Sequence, residues 1–219
     1  MALPLAGLKI LDFSTLLPGP YATQLLADMG AEVLRVESPS RPALRKMMPP
    51  MAGKVSAAHA SINRNKKSIA IDLKHASAKP IVEGLLSEYD IVIEQFRPGV
   101  MARLGLDYEQ LSKTQDKLIY CSITGYGQTG PYKDRAGHDI NYLALSVLAS
   151  YSCRKETVQV LLGKQIDTIS GGSQHPVMAI LSNLIQCTAT VLGQYIDISM
   201  CEVALAVNTR FGAGVVGSL

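Results

Sequence analysis

Two short apolar runs, residues 8–13 (LKILDF) and Glu32–Glu37 (EVLRVE), flank a stretch with helical spacing at 21–29. Strand, helix and strand within about thirty residues make a βαβ unit, which requires a parallel sheet and a right-handed crossover. Gly30 supplies the helix stop between them. The alternation continues. Strands are expected at 68–73, 90–94, 118–123 and Tyr195–Ser199, with helices at 76–87, 108–114, 139–149 and 178–186. Residues 38–60 lack a period and read as a long surface excursion of the kind usually kept for function. This pattern predicts an α/β fold, a Rossmann-like, doubly wound and mostly parallel sheet, with ligands beyond the carboxyl ends of the strands. Attention therefore falls on the loops after Phe13, Glu37, Glu94 and Ile123.

Composition removes several function classes. The 219 residues are 47% hydrophobic and 18% charged, so a packed core is expected and general disorder is excluded. A net charge of +3, from 21 Lys+Arg against 18 Asp+Glu, is no footprint for nucleic acid. No apolar run reaches the roughly 20 residues of a membrane span, and residues 1–9 do not form a secretory signal. Cys121, Cys153, Cys187 and Cys201 are too dispersed for a zinc site or a disulfide scaffold, which points to reduced thiols and a cytoplasmic location. No metal site is expected.

Four loops could carry chemistry. The first strand runs into Ser14-Thr15-Leu16-Leu17-Pro18-Gly19-Pro20, where backbone amides before a helix could meet an anion, although a proline-initiated helix explains the string equally well. Asn63-Arg64-Asn65-Lys66-Lys67 places three cations at a strand entrance, suited to phosphates or simply to solvent. Arg97, in Phe96-Arg97-Pro98-Gly99, follows a strand at its carboxyl end, where its guanidinium can fork onto a phosphate or carboxylate. The glycine-rich run 125–131 (GYGQTGP) allows close backbone approach to a ligand and leads into His138 at the start of a helix, with Asp139 beside it.

The blocks LPGPYATQLLADMGAEVLRVE, NRNKKSIAIDLK, VIEQFRPGV and LIYCSITGYGQTGP followed by AGHDINYLAL, in this order over residues 3–149, resemble the family III CoA-transferases (CaiB/BaiF-like). Within that group GHDINY is most similar to the α-methylacyl-CoA racemase branch. The resemblance implies a CoA-binding large domain spanning 1–219, followed in the family by a smaller domain and a return segment that this chain lacks, and two chains interlocked as a homodimer. A CoA thioester is implied as substrate, with no permanently bound cofactor. His138 is implied as one catalytic base. The second stands in the family in D-x-x-G-G. Here 165–173 reads QIDTISGGS, so alignment on Gly171-Gly172 puts Thr168 at that position and the carboxylate, Asp167, one residue earlier. The same resemblance gives the CoA phosphates to Arg97, Arg64, Lys66 and Lys67, the adenine side to the strand Ala70-Ile71-Asp72-Leu73, and further contacts to Gly137 and Asn141.

Three readings follow. The first is 1,1-proton transfer at the α-carbon of a 2-methylacyl-CoA by His138 and Asp167. The second is CoA transfer between carboxylic acids through an aspartyl anhydride. The third is a CoA-binding remnant without turnover, suggested by Thr168, by the chain's shortness against the family, and by 153–162 (CRKETVQVLL), which has lost its Gly and Pro content.

Overall fold

The computed structural model describes residues 2–40, 51–52, 55–152 and 165–209. Residues 41–50 and 53–54 of the expected excursion, Cys153 and the rest of 153–162 lie outside the described residues.

Six parallel strands form the frame: β1 (Lys9–Asp12), β2 (Glu32–Glu37), β5 (Lys66–Ala70), β6 (Ile91–Glu94), β7 (Ile119–Thr124) and β8 (Tyr195–Ser199). Between β2 and β5 lie a small antiparallel pair, β3 (Met51–Ala52) and β4 (Val55–Ser56), and helix α2 (Ala57–Ile62). The remaining helices are α1 (Pro18–Asp28), α3 (Ala78–Leu86), α4 (Val100–Leu104), α5 (Tyr108–Leu111), α6 (Asp139–Leu145), α7 (Ile166–Ile169), α8 (His175–Thr190) and α9 (Met200–Val207). The sheet order is β5-β2-β1-β6-β7-β8, all pairings parallel. The order reverses at β1, so the crevice between the loops after β1 and β6 is the place where such a sheet receives a ligand.

Burial explains the strand sequences. Every residue of β6 and β7 is buried, as expected where helices cover both faces. Ile10, Ile91, Ile93, Ile119, Cys121 and Ile123 meet Ala22 and Leu26 of α1 and Ile180 of α8 on one side. Leu11, Val92 and Tyr120 meet Val82, Met101 and Leu111 on the other. Each fully buried Leu or Ile contributes about 1.5–3 kcal/mol, so these two layers carry most of the stability. The charged β5, KKSIA, occupies one edge, where the exposed Lys67 discourages a further strand from pairing.

Several boundaries differ from the sequence expectation, for identifiable reasons. The strand expected at 68–73 is Lys66–Ala70, because β5 takes its register from Val33↔Lys66 to Glu37↔Ala70. Ile71, Asp72 and Leu73 therefore lie beyond its carboxyl end. The helix expected at 139–149 stops at Leu145, and Val147 adopts φ 65° before a 3₁₀ turn at Leu148–Ser152. The helix expected at 178–186 is α8, longer at both ends and preceded by α7 and a π-turn at Ser170–Gln174. Helix α2 begins inside the expected excursion, with Ser56 as a genuine N-cap accepting from the His59 amide at 3.1 Å. Helices α4 and α9 had no counterpart in the sequence reading.

Candidate active site

The loop after β1 is built on Asp12, which is wholly buried at the strand end. Its carboxylate accepts the Ser14 amide at 2.8 Å, the Ser14 hydroxyl, and the Thr23 hydroxyl of α1 at 2.6 Å. The Lys66 ammonium, its side chain also buried, stands 3.6 Å away and donates to the Pro20 carbonyl at 2.6 Å and to Asn63 Oδ1 at 3.2 Å. Burial lowers Lys66 to about 8, against the opposing pull of Asp12. Lys66 thus ties β5 to the start of α1. The neighbouring cations are answered internally as well: Arg64 pairs with Asp28 and Lys67 with Glu32. Across the crevice, Gln95 Oε1 accepts the Gly19 amide at 3.2 Å.

Arg97 is different. Its guanidinium is exposed and makes no ion pair or side-chain hydrogen bond among the described residues. It lies at a cleft of about 260 Å³ lined also by Glu94, Tyr108, Tyr120, Ser122 and Tyr195. Burial pushes Glu94 up to about 7, with the Asp197 charge adding, while Ser122 and the Phe96 amide pull the other way. Glu94 was not singled out in the sequence. Its signal is an acid closing an otherwise apolar strand, DIVIE.

The glycine-rich loop does mechanical work that the sequence did not disclose. A side chain at Gly125 or Gly137 would strike the Tyr142 ring, so both glycines seat that tyrosine. Tyr126 packs edge-on against it at 5.3 Å, and the Gly125 carbonyl accepts the Cys201 amide at 3.0 Å, joining the loop to α9. His138 is the exposed N-cap of α6, and its amide donates to Asn141 Oδ1 at 2.9 Å. Asn141 is thus engaged in capping the helix.

Asp167 sits on α7, where successive side chains step about 100° around the axis, so it and Thr168 point in different directions. Asp167 is 1% exposed, and neither carboxyl oxygen has a hydrogen-bond partner among the described residues. Burial first, and the charge of Asp139 second, raise it to about 7. The Thr168 amide donates to Asp139 Oδ1 at 2.7 Å. That bond sets the start of α6 against α7, with His138 exposed at the N-cap of the one and Asp167 buried on the other. Gly171 and Gly172 let the corner close. A Cβ on Gly171 would come within 3.2 Å of Asp167 Oδ1 and of the Met200 Cα, and one on Gly172 would run into Pro18. Ser173, fully buried, donates to the Pro18 carbonyl at 2.8 Å, fastening this turn to the start of α1. The sequence-derived residues therefore fall into three places. His138, Gly137, Asn141 and Asp167 share the α6–α7 corner, Arg97 stands at the cleft, and Arg64, Lys66 and Ala70 belong to the β5 edge.

An α/β sheet of this order, with a buried carboxyl that has no hydrogen-bond partner among the described residues, defines a class, and comparison gives it a family. Residues 5–213 match the family model for CoA-transferase family III, and the chain belongs to that family. It is similar to the human succinyl-CoA:glutarate CoA-transferase, 38% identical over 211 residues, covering 96% of this chain and 48% of that protein. The human α-methylacyl-CoA racemase is 36% identical over 199 residues, covering 90% and 48%. The crystal structure of a CaiB/BaiF family protein from Brucella suis superposes with a TM-score of 0.92 at 34% identity, covering 100% of this chain and 58% of that one. The chain spans about half the length of the curated relatives it matches. Among the described residues no helix is long and apolar enough to cross a membrane.

Proposed function

We propose that the chain carries the reacting carboxylate of an acyl-CoA enzyme and that its chemistry is CoA transfer between carboxylic acids. The observation that carries this reading is Asp167, a buried carboxyl with both oxygens uncommitted among the described residues. A carboxylate without hydrogen bonds in a poorly solvated site is a stronger nucleophile than one in water. Attack of one Asp167 oxygen on the thioester carbonyl expels the CoA thiolate and leaves an acyl-aspartyl anhydride. The thiolate then attacks the aspartyl carbonyl, releasing the first acid and leaving an aspartyl thioester. The incoming carboxylate reverses the two steps and departs as the new thioester. Arg97, which has no ion pair among the described residues and stands at the cleft beside Glu94 and Tyr108, fits a phosphate of the CoA moiety. A homodimer and a cytoplasmic location belong to the same proposal; the free Cys121, Cys187 and Cys201 support the second.

A second reading, 1,1-proton transfer at the α-carbon of a 2-methylacyl-CoA, is favoured by His138, an imidazole at the start of the helix that holds α7, which an anhydride mechanism does not require. One experiment decides between them. The purified chain is incubated with succinyl-CoA and glutarate, and separately with (2R)-2-methylacyl-CoA in deuterated water. Glutaryl-CoA formation that disappears in Asp167→Asn supports transfer, and deuterium at C2 without a new thioester supports proton transfer. Thioester binding with neither product overturns both.

A further inference from the structure

We propose that Asp139 is a positioning residue for Asp167, holding α7 through the Thr168 amide and placing its own negative charge beside the reacting carboxyl. The inference rests on the reading of Asp167 as that carboxyl. Its first support is geometric. α7 is a single turn of four residues, with no side-chain cap at its start. The 2.7 Å bond from the Thr168 amide to Asp139 Oδ1 fastens this turn to α6 at the residue after Asp167. A half-buried carboxylate in that place fixes where the Asp167–Thr168 peptide lies, and with it the Asp167 side chain.

The second support is the company that Asp167 keeps. From α6, Asp139 and Tyr142 face it, and from α9, Cys201. Burial raises both Tyr142 and Cys201, so these two stay neutral through the physiological range. On the other elements packed against α7, Tyr21 and Asp28 lie on α1, the latter held by Arg64, and Glu202 lies on α9. His175 Nδ1 is occupied at 2.9 Å from the Ser170 carbonyl oxygen. No cation pairs with Asp167 among the described residues. Burial is the larger cause of the raised Asp167 carboxyl, and Asp139 is the charged group that adds to it, because two neighbouring carboxylates resist ionising together.

Two substitutions separate the roles. Asp139→Asn keeps an oxygen for the Thr168 amide and removes the charge; Asp139→Ala removes both. The readouts are the titration of the Asp167 carboxyl by carbon NMR, assigned by its loss in Asp167→Asn, and the split between kcat and KM for the CoA thioester. Both variants are expected to move the Asp167 midpoint to lower pH. Asp139→Asn is expected to move the acid limb of kcat with it while keeping most of the rate. Asp139→Ala is expected to lose on the order of 10–100-fold in kcat with little change in KM, the scale of a misplaced reacting group. An unmoved midpoint in Asp139→Asn overturns the inference, as does an Asp139→Ala variant with wild-type kcat. The NMR titration needs no turnover, so it stands apart from the fate of the Asp167 reading, which falls if Asp167→Asn stays active.

Discussion

Replacing Asp167 by Asn should make this chain more stable at alkaline pH while abolishing its chemistry. In the folded state the carboxyl is raised from 3.8 to about 7, burial being the main cause. The sign follows from proton binding. Between the unfolded and folded values the native state holds more protons than the unfolded one, so stability falls as pH rises through that window and levels off above about 7. At about 1.4 kcal/mol per unit, three units make an upper bound of about 4 kcal/mol that the wild-type chain forfeits at pH 8. Asn carries no such charge. It has its own buried amide to satisfy, at a cost of about 1–3 kcal/mol, but that cost is the same at every pH. The informative quantity is therefore a difference of differences. Going from pH 5 to pH 8 crosses about two units of the window, so the variant should gain about 3 kcal/mol on the wild type. Urea unfolding of both proteins at the two pH values measures it. A gap between them that is the same at pH 5 and pH 8 would refute the reasoning, because it would mean that Asp167 titrates alike folded and unfolded. Such a stability gain at the expense of activity is the pattern expected of a strained functional group.

Other substitutions test the frame around that carboxyl. Lys66→Met strands the buried Asp12 carboxylate and should cost about 3–5 kcal/mol in urea unfolding, far more than Lys67→Met at the exposed Glu32 pair. Gly193→Ala puts a Cβ against the Leu118 backbone carbonyl, which cannot move without breaking the β7 entrance, and should lower the thermal midpoint by several degrees, read by circular dichroism. Arg97→Ala should raise KM for the CoA thioester about tenfold or more and leave kcat nearly unchanged, as measured by initial rates. Gly137→Ala should displace Tyr142 and reduce kcat, whereas Gly130→Ala, with open space around it but φ +82°, should cost about 1 kcal/mol and leave kcat alone.

The order of strands and helices was legible because parallel α/β units announce themselves twice, in apolar runs for the strands and in helical spacing between them. The β6 and β7 runs, IVIE and IYCSIT, are buried throughout, and the β1 and β2 runs are buried over most of their length, which suits strands of this short length between two layers of helices. The same local patterns located His138 at a helix start, whereas the carboxylate at 167 was reached only through resemblance to the family's D-x-x-G-G string. They could not locate α7. A four-residue turn has too little periodicity to register, and it exists because Asp139, Gly171 and Gly172 allow it to dock against α6, α9 and Pro18. The basic string at 63–67 shows the limit of charge patterning. Its cations looked available for phosphates, but the carboxylates that answer them, Asp12, Asp28 and Glu32, come from β1, α1 and β2, between 35 and 54 residues away in sequence.

The chain by itself determined which segments are strands, their parallel arrangement and the residue types at each strand end, because these depend on periodicity and turn chemistry within a few residues. Only the tertiary structure decided, among the described residues, which cations are free and which carboxyl is buried without a partner. Hydrogen-bond satisfaction and desolvation are properties of what surrounds a group, and here the surroundings of Lys66, Glu94 and Asp167 are assembled from elements far apart in sequence.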